Sequence, residues 1–171
     1  MSQNKPVVLV TGASGQLGSL LVKALVARGI ATIAGVRDLA KGDALAEAGA
    51  SVRLVDYDKP ETLVPAFQGI DRLVLISGSD MMNRLEHHKR VIAAAQEAGV
   101  NLLVYTSLLH AQQTTLPIAH DHRVTEDTLA ASGLNYAVTR NGWYTENFMG
   151  AIASAMHQGV IQTCAGDARF S

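Results

Sequence analysis

The feature that most constrains the fold of this chain is a short apolar run that passes through three glycines into a helical segment. Residues 7–18 read VVLVTGASGQLG, and apolar side chains at helical spacing follow over residues 19–28. This order predicts a strand, a tight turn and a helix N-terminus. Free N–H groups at such a helix start receive the oxygens of a dinucleotide diphosphate. A glycine turn that only packs the helix on the strand is the alternative, because the spacing is G-x-x-G-x-x-G rather than G-x-G-x-x-G.

Strand-length apolar runs alternate with helical segments along the whole chain. The runs cover residues 7–10, 31–36, 52–55, 73–76, 102–105 and 136–139, with a weaker one at 160–164. The helical segments cover residues 19–28, 39–48, 61–67, 83–98, 120–131 and 145–157. Alternation of this kind requires crossovers, which produce a parallel sheet covered on both faces. We predict an α/β fold: a Rossmann-like doubly wound parallel sheet with strand order 3-2-1-4-5-6, forming one NAD(P)-binding domain over residues 1–171.

Composition excludes several function classes. The chain has 171 residues, 48% hydrophobic and 17% charged, with a net charge of −1, which favours a globular protein without nucleic-acid or membrane partners. The polar N-terminus and the early break in the first apolar run predict a cytoplasmic protein. Cys164 is the only cysteine, so an internal disulfide is excluded, and we interpret it as a small apolar strand residue rather than a nucleophile. No metal site is expected, because His120 and His122 diverge on a helix.

Ligands of such sheets bind outside the carboxyl ends of the strands. Arg37 follows the second strand, where NADP enzymes place an arginine for the 2′-phosphate, so we favour NADPH over NADH. Asp38 is the alternative reader, of a ribose hydroxyl, and Arg37 paired with a surface acid is another. Residues 56–57 and 77–79 follow the third and fourth strands, and each is either a cofactor contact or an ordinary turn.

Five segments carry a family resemblance. They read TGASGQLG, GVRD, LVDYDKPETLVPAFQGIDRLVLIS, VYTSLLHA and TRNGWYTENF. They resemble the NmrA-like branch of the atypical short-chain dehydrogenases/reductases, above all its flavin-free bacterial NAD(P)H:quinone oxidoreductases, with triphenylmethane reductases nearby. The resemblance implies hydride transfer from NADPH to a quinone or related aromatic acceptor, without flavin or metal. Family members continue past the position of Ser171, so the small substrate lobe is expected to be truncated here.

The resemblance assigns site residues only where this chain matches the family pattern. It implies a phosphate loop at Gly12, Ala13, Ser14, Gly15, Gln16 and Leu17, a 2′-phosphate reader at Arg37, and a cofactor contact at Ser77, Gly78 and Ser79. It implies a nicotinamide end at Asn141, Gly142, Trp143, Tyr144, Thr145 and Glu146. Ser107, Asn141, Trp143 and Tyr144 are the candidate catalytic residues. Core packing is the alternative for Trp143 and Tyr144.

The tyrosine and lysine pair of ordinary short-chain dehydrogenases is missing. No lysine follows a tyrosine by four residues, and Tyr136 and Arg140 lie in a strand pattern. Where related enzymes carry K-x-x-x-E, this chain has His122 and Glu126. An alcohol–ketone enzyme must protonate an alkoxide as it forms, whereas a quinone yields a delocalised phenolate that can take its proton from water. We therefore expect positioning to supply most of the rate, with Ser107 and His110 as hydrogen-bond candidates for the quinone oxygen.

Two alternatives to quinone reduction remain at this stage. One is an NmrA-like regulator that senses NADP and binds a protein partner without catalysis, and the other is a triphenylmethane-dye reductase. The sequence leaves the oligomeric state open. Arg84, His87 and His88 sit on one polar helical segment and are expected to face solvent. Residues 81–82 are either a cap on the pocket or a packing element.

Overall fold

A six-stranded sheet with helices on both faces forms the frame of the molecule, described over residues 5–160 by a computed structural model. The strand order is β3-β2-β1-β4-β5-β6, and every pair of known register is parallel. The strands are β1 (Val8–Val10), β2 (Thr32–Val36), β3 (Ser51–Leu54), β4 (Arg72–Leu75), β5 (Leu102–Leu108) and β6 (Tyr136–Asn141). The predicted strand order is confirmed.

Within residues 5–160, six α-helices connect and follow the strands. They are α1 (Gln16–Ala27), α2 (Asp43–Glu47), α3 (Leu63–Phe67), α4 (Arg84–Glu97), α5 (Ile118–Ala131) and α6 (Met149–Gln158). The predicted helical segment at residues 39–48 divides in two, because the Asp38 carboxylate accepts a hydrogen bond from Ala40 N at 3.1 Å and starts a 3-10 turn, Leu39–Gly42, ahead of α2. The predicted strand run at 160–164 falls outside the described residues except for Val160, as does Cys164.

Two apolar cores occupy the two faces of the sheet. One contains Leu9, Phe67, Leu73, Ile92, Leu103 and Leu129, from the strands together with α3, α4 and α5. The other contains Val10, Val22, Ala34, Val36 and Leu45, from the strands together with α1 and α2. Because all these side chains are removed from water, both faces contribute to stability and fix the carboxyl ends of the strands relative to the helices that start there.

The chain divides into two compact units at the end of β6, Met1–Arg140 and Asn141–Ser171. The second unit contains the 3-10 turn Thr145–Phe148 and α6, and none of its described side chains is buried. The expectation of a single domain over residues 1–171 stays a prediction. Within residues 5–160, no helix has the length and apolar character needed to cross a bilayer.

Candidate functional site

The glycine turn between β1 and α1 is built for close approach of the backbone. Gly12 adopts a φ of +59°, a left-handed conformation that side chains rarely tolerate. Its carbonyl accepts a hydrogen bond from Gly15 N at 2.9 Å, and Ala13 N donates to Gly35 O at 3.1 Å, so the turn is anchored to β2. Ser14, Gly15 and Gln16 are exposed, which leaves the outer surface of the turn open to a ligand.

Gly18 lets α1 pack directly on this turn. A Cβ added at Gly18 would lie 2.8 Å from Ala13 Cα, well inside van der Waals contact. The first turn of α1 carries no acidic residue, and no described side chain caps its N-terminus. The N–H groups there remain available, and the helix dipole favours an anion at this position. Among the glycine roles predicted from the sequence, the turn and the close packing are present in the geometry.

Arg37 follows β2 at the same edge of the sheet. Its side chain is exposed, and it forms no ion pair with any residue in the part of the chain that the structure describes. Asp38 is already engaged by Ala40 N, as described above. The neighbouring carboxylate is thus used to start the 3-10 turn, while the guanidinium stays available for a phosphate.

Asp56 and Tyr57 follow β3, and both are used inside the protein. Asp56 is buried, accepts a hydrogen bond from Asp58 N at 3.1 Å and lies 3.7 Å from Lys59 Nζ. The Tyr57 hydroxyl is enclosed beside the Thr11 side chain. Burial raises the pKa of Tyr57 to about 12, and the Thr11 side chain opposes part of that rise. These contacts support a structural role for this pair in the turn that follows β3.

The loop after β4 is held by two side chains of α4 that the sequence interpretation placed in solvent. Arg84 and His88 are 3% and 0% exposed, and His87 is also buried at 5%. Arg84 Nε donates to Gly78 O at 2.7 Å, and Gly78 N donates to His88 Nε2 at 3.2 Å. The expectation of a solvated face was wrong, because each buried polar group here is paired: Arg84 also contacts Asp121 at 3.4 Å, and His87 contacts Asp58 at 2.8 Å.

The backbone donor of Gly78 fixes the protonation of His88. Because Nε2 accepts a hydrogen bond from the Gly78 amide, the ring proton lies on Nδ1, which donates a hydrogen bond to Thr125 Oγ1 at 3.0 Å. Thr125 in turn donates to Asp121 O at 2.7 Å. The pKa of His88 is lowered to about 3, chiefly by burial and in smaller part by the neighbouring His122 and Arg84 side chains. His88 is therefore neutral at pH 7.

Ser107 lies near the end of β5 and is 4% exposed. Its hydroxyl donates to Glu126 Oε1 at 2.5 Å, and Arg140 Nη2 donates to Glu126 Oε2 at 2.6 Å. The hydrogen bond from Arg140 is the largest reason that the pKa of Glu126 lies below its usual value, ahead of those from Ser107 and Gln112. Because its proton is committed to a carboxylate, Ser107 is presented as an acceptor rather than a donor in this arrangement.

Tyr105 and His122 form a second pair beside Ser107 and Glu126. The Tyr105 hydroxyl lies 2.7 Å from His122 Nδ1, and both side chains are buried. Burial raises the pKa of Tyr105, and hydrogen bonds with the side chains of Thr125 and Ser77 oppose part of that rise. Thr125 belongs to α5 and Ser77 follows β4, so the Tyr105 hydroxyl lies where β4, β5 and α5 meet. Sequence reasoning missed Tyr105 because it searched for a tyrosine on a helix. The alternation of strand side chains is the signal that places residues 105 and 107 on one face.

The remaining predicted residues, 141–146, lie in the second unit. Within it, Asn141 Nδ2 donates to the Tyr144 hydroxyl at 2.9 Å, and Trp143 is 67% exposed. Core packing, the alternative for Trp143 and Tyr144, is not present among the described residues. The roles of residues 141–146 at the nicotinamide end stay predictions. His110 is exposed with a φ of +55°, and no group of three potential metal ligands occurs within residues 5–160.

A family model described as NAD(P)H-binding matches residues 12–159. The chain belongs to that NAD(P)H-binding family. Quinone oxidoreductase 2 of Escherichia coli is 42% identical over 96% of this chain and 58% of its own length. The crystal structure of the Escherichia coli NADPH-dependent quinone oxidoreductase complexed with NADPH has a TM-score of 0.84, covering 89% of this chain and 54% of that one.

Two further proteins are similar to this chain. The Citrobacter triphenylmethane reductase complexed with NADP(H) is 36% identical, with a TM-score of 0.87, over 93% of this chain and 58% of that one. An NmrA-like family domain-containing oxidoreductase of Aspergillus flavus is 30% identical over 82% of this chain and 48% of its own length. The resemblance to NmrA-like atypical short-chain dehydrogenases/reductases is thus confirmed. The chain spans about half the length of the relatives that it matches.

Proposed function

We propose that the protein carries out NADPH-dependent reduction of a quinone or quinone-like aromatic acceptor, without a flavin. The observation that carries the proposal is the exposed glycine turn at the start of α1 together with Arg37, which is exposed at the same sheet edge and has no ion-pair partner within residues 5–160. The 42% identity to a quinone oxidoreductase supports the choice of acceptor.

The residues present fit a dinucleotide with a 2′-phosphate. A diphosphate requires backbone N–H groups that no side chain obstructs. A Cβ at Gly18 would overlap Gly12 O and Ala13 Cα and so displace the turn that provides these groups. The 2′-phosphate requires a free cation, which Arg37 can supply, whereas the neighbouring Asp38 carboxylate is engaged by Ala40 N. When bound, NADPH supplies the hydride, and the chain's own task is to orient the two partners and exclude water.

The decisive experiment is oxidation of NADPH followed by the absorbance of the reduced nicotinamide. It is run with benzoquinone, with a triphenylmethane dye and without an acceptor. We expect turnover with benzoquinone and slow background oxidation without an acceptor. Turnover with the dye but not with benzoquinone selects the dye-reductase alternative. Tight NADPH binding without any turnover selects the NADP-sensing alternative, and absence of binding of either NADPH or NADH overturns the proposal.

A further inference from the structure

His122 is buried between two elements but keeps one ring nitrogen available. Nδ1 faces the Tyr105 hydroxyl at 2.7 Å, while Nε2 makes no hydrogen bond with any residue in the described range 5–160. Among the described residues, the Tyr57 hydroxyl is the one side-chain polar atom that is both fully buried and without a hydrogen-bond partner. His122 Nε2 also has no partner in this range, so it is not fully buried. Nε2 therefore lies where a ligand or water reaches it, although the residue as a whole is only 5% exposed.

The neighbours of His122 place this nitrogen at the functional edge of the sheet. Helix α5 starts at Ile118, after the segment that leaves the carboxyl end of β5, and His122 lies in its second turn. Its partner Tyr105 lies close to Ser77, which follows β4. The crevice outside the carboxyl ends of the strands is where ligands of doubly wound sheets bind.

Two other polar groups close to His122 are already used. The Ser107 hydroxyl donates to Glu126, and Gly78 N donates to His88 Nε2. Burial first, and then the Arg84 guanidinium, lower the pKa of His122, so the ring is neutral at pH 7. When the Tyr105 hydroxyl donates the 2.7 Å hydrogen bond to Nδ1, the neutral imidazole carries its own proton on Nε2.

From this arrangement we propose that His122 donates a hydrogen bond from Nε2 to the oxygen of the bound acceptor, and that Tyr105 positions it by fixing the tautomer. This inference rests on the proposed function, since it assigns the donor for the same reaction. Of the two residues, His122 is the catalytic one, because it touches the reacting oxygen, and Tyr105 acts through it.

The step balances without any further co-reactant. The C4–H bond of the reduced nicotinamide breaks, and its hydride adds to the quinone ring system, leaving NADP⁺ and a hydroquinone monoanion. The Nε2–H donor stabilises the negative charge as it develops on the acceptor oxygen. The proton that completes the hydroquinone comes from water, so His122 ends the step neutral, as it began it.

Kinetic comparison of three variants tests the assignment. We expect His122→Phe, which lacks a donor, to lower kcat for benzoquinone on the order of 100-fold with little change in NADPH affinity. His122→Gln places an amide N–H near the position of Nε2 and is expected to keep kcat within about 10-fold of the wild type. The matched control is His120→Phe, which makes the same change at an exposed position two residues earlier and is expected to leave kcat unchanged.

Binding of 4-nitrophenol provides a readout that does not depend on turnover. The absorbance of this ligand reports its ionisation, and a donor on its oxygen lowers its pKa when it is bound. We expect that lowering in the wild type and in His122→Gln, and its loss in His122→Phe. Equal kcat in His122→Phe and the wild type overturns the proposal, as does equal ionisation of the bound ligand in these two proteins or failure of the wild type to bind 4-nitrophenol.

The two readouts separate this inference from the proposed function. A wild-type protein that lowers the pKa of bound 4-nitrophenol but does not oxidise NADPH with benzoquinone retains the His122 donor and loses the reaction. A wild-type protein that turns over benzoquinone at a rate insensitive to His122→Phe retains the reaction and loses the donor. Thermal unfolding of each variant confirms that the comparison is made between folded proteins.

Discussion

At the scale of single residues, His88 shows how a polar side chain in a core can be fully used. Its two ring nitrogens join the amide of Gly78 to the hydroxyl of Thr125, and its side chain is removed from water. Protonation would replace the acceptor at Nε2 by a donor facing the Gly78 N–H. Burial of that charge would add to the cost of protonation. The neighbouring His122, Arg84 and His87 side chains disfavour it further.

The free energy of unfolding should therefore decrease as the pH is lowered through the interval between the unfolded and folded pKa values of His88. Its pKa is 6.5 when unfolded and about 3 when folded, so protons bind the unfolded state preferentially below 6.5. The contribution of His88 is complete above pH 6.5 and is lost progressively as the pH falls towards 3. His88→Gln keeps an acceptor for Gly78 without titrating. Denaturant unfolding at several pH values should give a shallower decline in that variant, and identical slopes would contradict the role given to His88.

In the proposed function, Arg37 is the residue on which the choice between NADPH and NADH depends. A charge-assisted hydrogen bond contributes about 1.5–3 kcal/mol, so Arg37→Ala should weaken NADPH binding about 10- to 100-fold. NADH lacks the 2′-phosphate, and its affinity should change little. Arg28→Ala removes the same charge at the far end of α1 and serves as the matched control. Titration calorimetry of the wild type and both variants with each nucleotide measures six affinities, and an equal loss for NADPH and NADH in Arg37→Ala would refute the assignment.

Sequence reasoning predicted some of these residues and missed others for a physical reason. The roles of Gly12 and Gly18 follow from local geometry, since a turn and a close approach leave their mark within a few residues. Arg84 and His88 carry no such local signal, because the groups that make their burial tolerable lie up to 37 residues away in α5. Tyr105 was missed because its hydroxyl is paired across two elements rather than along one helix.

At the scale of elements, the helix α1 and the turn before it behave as one piece. The turn is anchored to β2 through Ala13 N, and Gly18 sets the distance at which the helix packs. The pattern of apolar runs predicted all six strands, since each is buried or paired. It underestimated β5, which extends to Leu108 and whose Thr106 and Ser107 side chains are held by polar partners rather than by an apolar core.

Gly18→Ala tests the coupling between turn and helix. The added Cβ would lie 2.8 Å from Ala13 Cα, so the helix or the turn must shift, at a cost of about 1–3 kcal/mol in the free energy of unfolding. NADPH affinity should fall with it. Gly150→Ala is the matched control, because Gly150 also lies in a helix and its Cβ would meet nothing within 4 Å. Denaturant titration should show no loss for Gly150→Ala, and an equal loss in both variants would argue against the packing role of Gly18.

At the scale of the whole molecule, both apolar cores belong to the unit that ends at Arg140. No described side chain after that point is buried. A chain ending after Arg140 should therefore unfold cooperatively and retain NADPH binding. It should lose quinone reduction if residues 141–146 line the reaction end. Denaturant unfolding, calorimetry and NADPH oxidation measure the three properties, and a shortened chain that reduces benzoquinone at the full rate would remove residues 141–146 from the proposed site.

The grip of Arg84 and His88 on Gly78 has a consequence for what this edge of the sheet can distinguish. The amide N–H of Gly78 is already donated to His88 and its carbonyl oxygen already accepts from Arg84, so this residue has no free N–H to offer a ligand. Ligands of the same shape but with different polar groups should therefore bind this loop after β4 with similar affinity, and the loop should discriminate between ligands by size. Selectivity among flat ring systems must then come from other residues. Substitutions in the loop after β4 should change the size of ligand that is accepted more than the preference for particular polar groups.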